Sequence, residues 1–333
     1  MSFSQFAEIT LPVLEREMKT VISLSKIQDD LSLYEMMIFH FGWDVPNSKQ
    51  GKRIRPLILL LANQACGGDW QEAIPAASAI ELLHNFSLIH DDIEDQSDTR
   101  RGRTTLWKAY SLPLALNVGD SMYSLAYLGM QRLSLFKSTD VTLQAVNVFS
   151  ETCLHLTQGQ HLDISFEDKT SVTVEQYWQM IRGKTAALLA ACAQIGAITA
   201  EAPAEKQNAF KQFGLNLGLA FQVYDDYLGI WGDPKLTGKS IASDLLARKK
   251  SLPVLYGLEK ESEFAALWEK GITAENVELA AALLKQEGAY DYTQDYAIRL
   301  TEQAQQDLNE TEASGETLIV FEELLQLLTR RKD

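Results

Sequence analysis

Residues 75–97, PAASAIELLHNFSLIHDDIEDQS, decide the fold class. Apolar side chains recur at Ile80, Leu83, Phe86 or Leu88, and Ile93, and Pro75 stands where a first helical turn accepts it. The spacing predicts a helix. It ends in a carboxylate cluster, Asp91, Asp92 and Asp95, with Arg100, Arg101 and Arg103 following at once. Asp91 and Asp95, one helical turn apart, stack on one face.

The same period extends outward. Residues 171–198, SVTVEQYWQMIRGKTAALLAACAQIGAI, open with Thr173 and Gln176 at capping-box spacing. Residues 210–234 keep a helical repeat up to Gly232, Asp233 and Pro234. In residues 317–333 the bases fall in the last turn, where the helix dipole favours them. Alternating strand patterns, internal repeats and Gly/Ser/Pro linkers are absent. We therefore expect one all-α domain over 1–333, with about ten helices or more.

Composition narrows the partners. A net charge of −15 repels phosphate backbones and argues against nucleic acid. Anionic small molecules would need local positive charge or metal ions. Cys66, Cys153 and Cys192 lack motif spacing, which fits a reduced cytoplasmic protein without a disulfide frame. The first twenty residues lack a signal-peptide pattern, and no apolar run is long enough to span a bilayer.

A second acidic cluster, Asp225 and Asp226 in FQVYDDYLGIWGD, resembles the first. Both follow an apolar turn, and both begin with adjacent aspartates. Like charges at such spacing destabilise a helix by a few tenths of a kcal/mol per pair and raise one another's pKa. A divalent cation removes both problems. Carboxylates without a cage of other ligands suit Mg²⁺, which keeps waters and bridges to phosphates. The competing reading is a solvated acidic face, and the occurrence of two such clusters weighs against it. Basic residues beside Gly or Pro breaks supply the complement: Lys52, Arg53 and Arg55, the Arg100–Arg103 group, Lys184, Lys239, and Arg248, Lys249 and Lys250. Arginine forks grip phosphate bidentately and lysine acts as a point charge. GDPKLTGKS is not a P-loop, since its glycine spacing is wrong and no strand precedes it. The histidines show no zinc spacing. His84, two turns before Asp91, is either a polar helix-interface residue or a phosphate donor.

In the order GKRIRP, ELLHNFSLIHDDIED, TRRGR, GQHLD, GKT, FQVYDD, GDPKLTGKS, these motifs resemble the trans-isoprenyl diphosphate synthases. The resemblance implies an all-α bundle of antiparallel helices around a deep central cavity, usually as a homodimer. It implies that Asp91, Asp92 and Asp95 bind the Mg²⁺ of an allylic diphosphate, that Asp225 binds a further Mg²⁺, and that Asp226 lies in its hydration shell. Lys52, Arg55, His84 and Arg101 would hold isopentenyl diphosphate. Arg100, Lys184, Lys239 and Lys249 would hold the allylic diphosphate (dimethylallyl, geranyl or farnesyl). Thr185 and Gln222 would stand near the reacting carbons. Gln160 and Asp163 either line the cavity and pair with Lys184 or brace two helices. Two positions depart from the family pattern: Gly229 replaces a third aspartate of the second cluster, and Thr104 replaces a proline.

Product length turns on Phe86, five residues before Asp91, with Ser87 beside it and Leu83 above. An aromatic at that position is the floor of the family's product channel, and the pattern resembles geranylgeranyl diphosphate synthases. A farnesyl product is the alternative, and Phe86 as a plain core aromatic is the other reading. A terpene cyclase would need a different second metal motif. A non-catalytic subunit would tend to lose one aspartate cluster, whereas this chain keeps the first and most of the second.

Overall fold

The computed structural model describes residues 1–46, 48, 51–233, 242–260 and 262–329. These are helical apart from short turns and one two-stranded ladder, in agreement with the all-α expectation. Contacts gather into two compact units, Met1–Ser150 with Cys192–Gln207, and Glu151–Ala191 with Asn208–Asp333.

The first unit contains α1 (Phe3–Ile22), α2 (Ser32–Phe41), α3 (Ile54–Ala65), α4 (Ile74–Glu94), α5 (Leu106–Ala109), α6 (Leu112–Gln131) and the beginning of α7 (Thr139–Glu167). Ser2 and Gln5 close a reciprocal capping box on α1. That helix then buries Phe6, Leu14, Met18 and Val21 on one stripe. α3 and α4 are buried on almost every side, as expected of helices at the centre of a core. Fully burying each such Leu or Ile contributes about 1.5–3 kcal/mol. α4 packs antiparallel to α6. A Cβ on Gly119 would meet the His90 ring at 2.3 Å, while one on Gly129, further along α6, would approach Ala79, further back along α4.

The predicted absence of strands is corrected at one place. Thr99–Arg100 and Arg103–Thr104 pair as an antiparallel ladder, β1 and β2. Arg101 (φ 55°) and Gly102 (φ 78°) form the turn between them. Positive φ at both central positions is the hairpin geometry whose twist matches the strands. Thr104 sits in this ladder opposite Thr99.

The second unit holds the remainder of α7, α8 (Val174–Ile181), a π-helical turn Arg182–Ala186, the start of α9 (Ala187–Thr199) and most of α10 (Ala204–Trp231). Among the described residues five further helices follow: α11 (Ser243–Leu246), α12 (Leu252–Leu258), α13 (Glu263–Lys270), α14 (Val277–Gln286) and α15 (Ala289–Glu310). α16 (Gly315–Thr329) is the last helix. The predicted Thr173–Gln176 capping box starts α8. Tyr177, Met180, Ile181, Leu219, Val223, Leu252 and Leu255 form one core cluster. The bases expected in the final turn, Arg330, Arg331 and Lys332, lie outside the described residues. Among the described residues no helix is long and apolar enough to cross a membrane. All three cysteines are free.

Candidate active site

In the first unit, α4 delivers the first acidic cluster at its C-terminal end. Asp91 is half-buried, Asp95 is the exposed C-cap residue, and Asp92 is 3% exposed. Asp92 turns to Arg100, whose Nε donates to its Oδ1 at 2.8 Å. Burial raises the Asp92 pKa, and the Arg100 charge and hydrogen bond oppose that rise. The hairpin makes this pairing possible by setting Arg100 in β1 and Arg101 at the turn. The Arg101 guanidinium lies against Gly51, where a Cβ would come within 2.5 Å of Nη2. The glycine of GKRIRP therefore makes room for the arginine of TRRGR. Lys52, next to Gly51, is exposed.

Behind these arginines runs a buried polar chain. Arg53 Nη1 donates to Glu81 Oε1 at 2.5 Å, with both side chains almost wholly buried. Asn85 Nδ2 donates to Glu81 Oε1 at 2.8 Å, and Asn85 Oδ1 lies 3.1 Å from His40 Nε2. Burial drives the His40 pKa down to about 3, so the ring is neutral. Since Asn85 Oδ1 can only accept, His40 carries its proton on Nε2. Arg55 Nη1 lies 3.2 Å from His84 Nε2. Burial, then the Arg55 charge, hold the His84 pKa well below its usual value, so neutral His84 accepts from Arg55 and keeps an Nδ1–H donor. Arg55 Nε is buried without a hydrogen-bond partner among the described residues.

In the second unit, α10 delivers Asp225 and Asp226 one turn after Gln222. Asp226 is 5% exposed, and neutral donors occupy both its oxygens. Tyr177 OH and the Leu252 backbone N–H donate to Oδ2 at 2.7 and 3.1 Å, and Gln222 Nε2 donates to Oδ1 at 2.9 Å. Desolvation nevertheless raises its pKa to about 7. Thr185 extends the chain by donating to Gln222 Oε1 at 2.7 Å. Asp225 remains half-buried.

Thr185 and Lys184 both lie in the π-helical turn, a distortion that re-aims side chains and is frequent at functional sites. Lys184 Nζ pairs with Asp163 Oδ2. The crossing of α7 and this turn is backbone on backbone, since a Cβ on Gly159 would stand 2.1 Å from the Lys184 amide nitrogen. This close approach accounts for the glycine of GQHLD. Gln160, the next residue, is half-buried. Of the basic run after α11, Arg248 donates to the Trp268 carbonyl and stacks on its ring, while Lys250 caps the Phe166 and Glu167 carbonyls at the end of α7. Arg248 and Lys249 are both exposed. Lys239 lies outside the described residues.

Sequence reasoning missed Glu81, Asn85, His40, Tyr177 and Asp244. Gly229 is more than a lost ligand, because a Cβ there would meet the Asp244 carboxylate at 2.2 Å. The buried Asp244 side chain occupies that space. Charged residues inside otherwise apolar helical runs were the available signal for Glu81, and nothing in the spacing pointed to Asp244.

A family model described as polyprenyl synthetase matches residues 44–286. The chain belongs to the polyprenyl synthetase family. Within that family, a geranylgeranyl diphosphate synthase of Mycobacterium tuberculosis is 40% identical over 267 residues, 77% of this chain and 75% of the relative. A (2E,6E)-farnesyl diphosphate synthase of Mycobacterium bovis is 40% identical over 255 residues, 74% of this chain and 70% of the relative. A solved geranylgeranyl pyrophosphate synthase from Corynebacterium glutamicum, complexed with isoprenyl diphosphate and magnesium, matches with a TM-score of 0.88 at 25% identity over 100% of both chains.

Proposed function

We infer that this prenyltransferase joins isopentenyl diphosphate head-to-tail to an allylic diphosphate and makes an all-trans short-chain prenyl diphosphate, geranylgeranyl diphosphate in our reading. The observation that carries the diphosphate assignment is Arg55. Its guanidinium is withdrawn from water, faces a neutral histidine and keeps one buried N–H unpaired. Leaving a buried donor unmade costs about 1–3 kcal/mol, more for a charged group, and an incoming diphosphate oxygen removes that cost. Lys52, the His84 Nδ1–H and Arg101 complete the set for isopentenyl diphosphate. Arg100, Lys184, Lys239 and Lys249 serve the allylic diphosphate.

The acidic residues fit Mg²⁺. No three His, Cys, Asp or Glu side chains converge as a ready-made cage among the described residues. Mg²⁺ needs none, since it is held by one or two carboxylates together with waters and substrate phosphates. Asp91 and Asp95 offer all-oxygen donors on one face of α4, and half-buried Asp225 offers another. Asp92, which accepts from Arg100, completes the first set, and Asp226 orients Gln222. When bound, Mg²⁺ supplies Lewis-acid charge that stabilises the leaving diphosphate.

The chain's own groups then act on the substrates. Arginines and lysines stabilise the diphosphate as the allylic C1–O bond breaks and the electron pair leaves with oxygen. The terminal alkene carbon of isopentenyl diphosphate bonds to the resulting cation, and the tertiary cation so formed loses a C2 proton to the departing diphosphate. Thr185 and Gln222, aligned by Asp226, direct oxygen dipoles at the developing cation. Phe86, 9% exposed, blocks extension at the level expected of a floor, with fully buried Leu83 before it and Ser87 hydrogen-bonded to the His84 carbonyl. A farnesyl product is the second reading, favoured by the equal identity of the farnesyl synthase relative.

Exposed Leu112, Leu116, Leu135, Phe136 and Leu143 in the first unit support a homodimer, since monomers rarely leave such apolar surface to water. The free thiols fit the cytoplasm. Incubation of the purified protein with labelled isopentenyl diphosphate, an allylic primer and Mg²⁺ tests the reading. We expect prenyl diphosphates that disappear when a chelator is added. Absence of any elongated product, or synthesis indifferent to chelation, would overturn it.

A further inference from the structure

A second cavity, of about 550 Å³, lies in the first unit outside the site described above. Small-molecule sites commonly enclose about 300–1,000 Å³. The walls of this one are aromatic: Tyr34 and Phe39 on α2, Trp43 just after α2, and Tyr110 at the end of α5. Phe39 meets Tyr110 edge-on at 5.5 Å, and Trp43 stacks at 4.5 Å on buried Phe41. These contacts fix the walls before any ligand arrives. The Trp43 indole N–H is enclosed and has no hydrogen-bond partner among the described residues. An acceptor brought by a ligand removes the cost of such a donor.

Charges of both signs complete the lining. Lys19 comes from α1 and lies 4.9 Å over the Trp43 ring, and Glu35 comes from the first turn of α2. Both are exposed, and neither has an ion-pair partner among the described residues. The third charge, Asp44, is engaged, since Arg103 Nη2 donates to its two oxygens at 3.0 and 3.2 Å. Protein cations already sit over three of the rings: Lys19 over Trp43, Lys26 over Tyr34 and Arg103 over Phe39. A ligand that is only a cation would meet its own sign there. The lining instead suits one negative charge, one positive charge and an apolar body joining them.

The cavity touches the hairpin through two residues. Phe39 lines both this cavity and the pocket that holds Asp92, Arg100 and Arg101. Asp44, the other, clamps Arg103, which stands opposite Arg100 in the ladder and lies 4.9 Å over Phe39. The Arg103–Asp44 pair is partly open to water, its side chains 23% and 37% exposed. A ligand seated against Asp44 and Phe39 withdraws that water, and a lower local dielectric strengthens the pair. We propose that this cavity is an effector site for an aromatic α-amino acid. Its carboxylate pairs with Lys19, its ammonium pairs with Glu35, and its ring packs against Phe39 and Tyr110. Occupancy tightens the Arg103 clamp and so favours the hairpin conformation that binds diphosphate. Only this effect on the reaction rests on the proposed function; the binding itself does not.

The probe is L-phenylalanine, titrated calorimetrically into the purified full chain. We expect saturable binding, with phenylpropionate (no ammonium) and phenethylamine (no carboxylate) each about tenfold weaker. Lys19→Met and Glu35→Gln should weaken phenylalanine by a similar factor and leave the KM values measured without it unchanged. Trp43→Phe, which keeps a ring and removes the enclosed N–H, should weaken it too. Inorganic pyrophosphate should bind about fivefold tighter with phenylalanine present, and phenylalanine tighter by the same factor with pyrophosphate present. The KM for isopentenyl diphosphate should fall in parallel. Asp44→Asn should keep phenylalanine binding and lose this coupling. No binding of phenylalanine, equal binding of all three compounds, or full affinity in Lys19→Met and Glu35→Gln would overturn the site. Binding without any change in pyrophosphate affinity would overturn the action through Arg103. A protein that binds phenylalanine as expected yet makes no prenyl diphosphate would instead sink the proposed function, so the failures are distinguishable.

Discussion

The two aspartate pairs are built alike and held differently. In each, the first residue is half-buried, Asp91 and Asp225, and the second is buried, Asp92 and Asp226. In the first unit the buried member faces a cation, Arg100. In the second unit, among the described residues, it accepts from the neutral donors Tyr177, Gln222 and Leu252. The local sequence Asp-Asp after an apolar turn therefore specifies which residue points outward, while its distant partners specify the charge state of the inward one. A cation-paired carboxylate can release its arginine to a phosphate. One held by neutral donors orients a hydrogen-bonded chain, here through Gln222 to Thr185.

The largest effect should fall on the outward residues. Asp91→Ala and Asp225→Ala should each lower turnover about a hundredfold, the scale of losing one electrostatic clamp of about 3 kcal/mol. Circular dichroism should show unchanged folds. Wild-type kinetics in either variant would break the equivalence of the pairs.

A smaller effect separates the inward residues. In Asp226→Asn the new amide must donate, so Gln222 has to flip and reverse the donor sense toward Thr185. We expect turnover to fall about tenfold, the scale of one altered hydrogen bond near 1.4 kcal/mol, with KM for both substrates little changed. Asp92→Asn should instead raise KM for the allylic diphosphate, because Arg100 loses its anchor. Identical kinetic signatures in the two variants would show that the different partners are without consequence.

This contrast marks where sequence reading ends. Helices were legible because a 3.6-residue period survives in any solvent-bounded bundle, and the Thr173–Gln176 cap because it is local. The outward aspartates were legible for the same reason. The Arg101–Gly102 hairpin escaped notice since strands of two residues carry no alternation. The π-turn escaped because its alanine-rich surroundings look the same at either helical pitch. Tyr177 meets Asp226, and Arg53 meets Glu81, only after the chain has folded, and neither pair lies within reach of a spacing rule. Of the bases expected to bind phosphate by residue type alone, Arg53, Arg248 and Lys250 are engaged with protein groups.

Gly229 sharpens the comparison on the side of the second pair. A side chain there would displace the Asp244 carboxylate. Gly229→Ala should gain helix propensity of about 1 kcal/mol but lose about 1–3 kcal/mol to overpacking. The net expectation is a modestly lower Tm in thermal unfolding, with Gly229→Asp lower still because two carboxylates would then meet. A Tm above that of the wild type for Gly229→Ala would mean that Asp244 moves freely.

The subtlest difference is in pH dependence, where His40 in the first unit and Asp226 in the second should contribute with opposite sign. Folded His40 has its pKa lowered to about 3, so between there and the ordinary value of 6.5 the unfolded chain binds more protons. Its contribution is present above pH 6.5 and is lost as pH falls. Folded Asp226 has its pKa raised to about 7 from 3.8, so in that window the folded chain binds more protons. Its contribution is present below pH 3.8 and is lost as pH rises toward 7. His40→Gln keeps a donor for Asn85 and should flatten the acid limb of stability measured by urea titration in chelator. Asp226→Asn should flatten the loss on raising pH and leave the acid limb in place. If both variants moved the same limb, the burial of one of these groups would be misassigned.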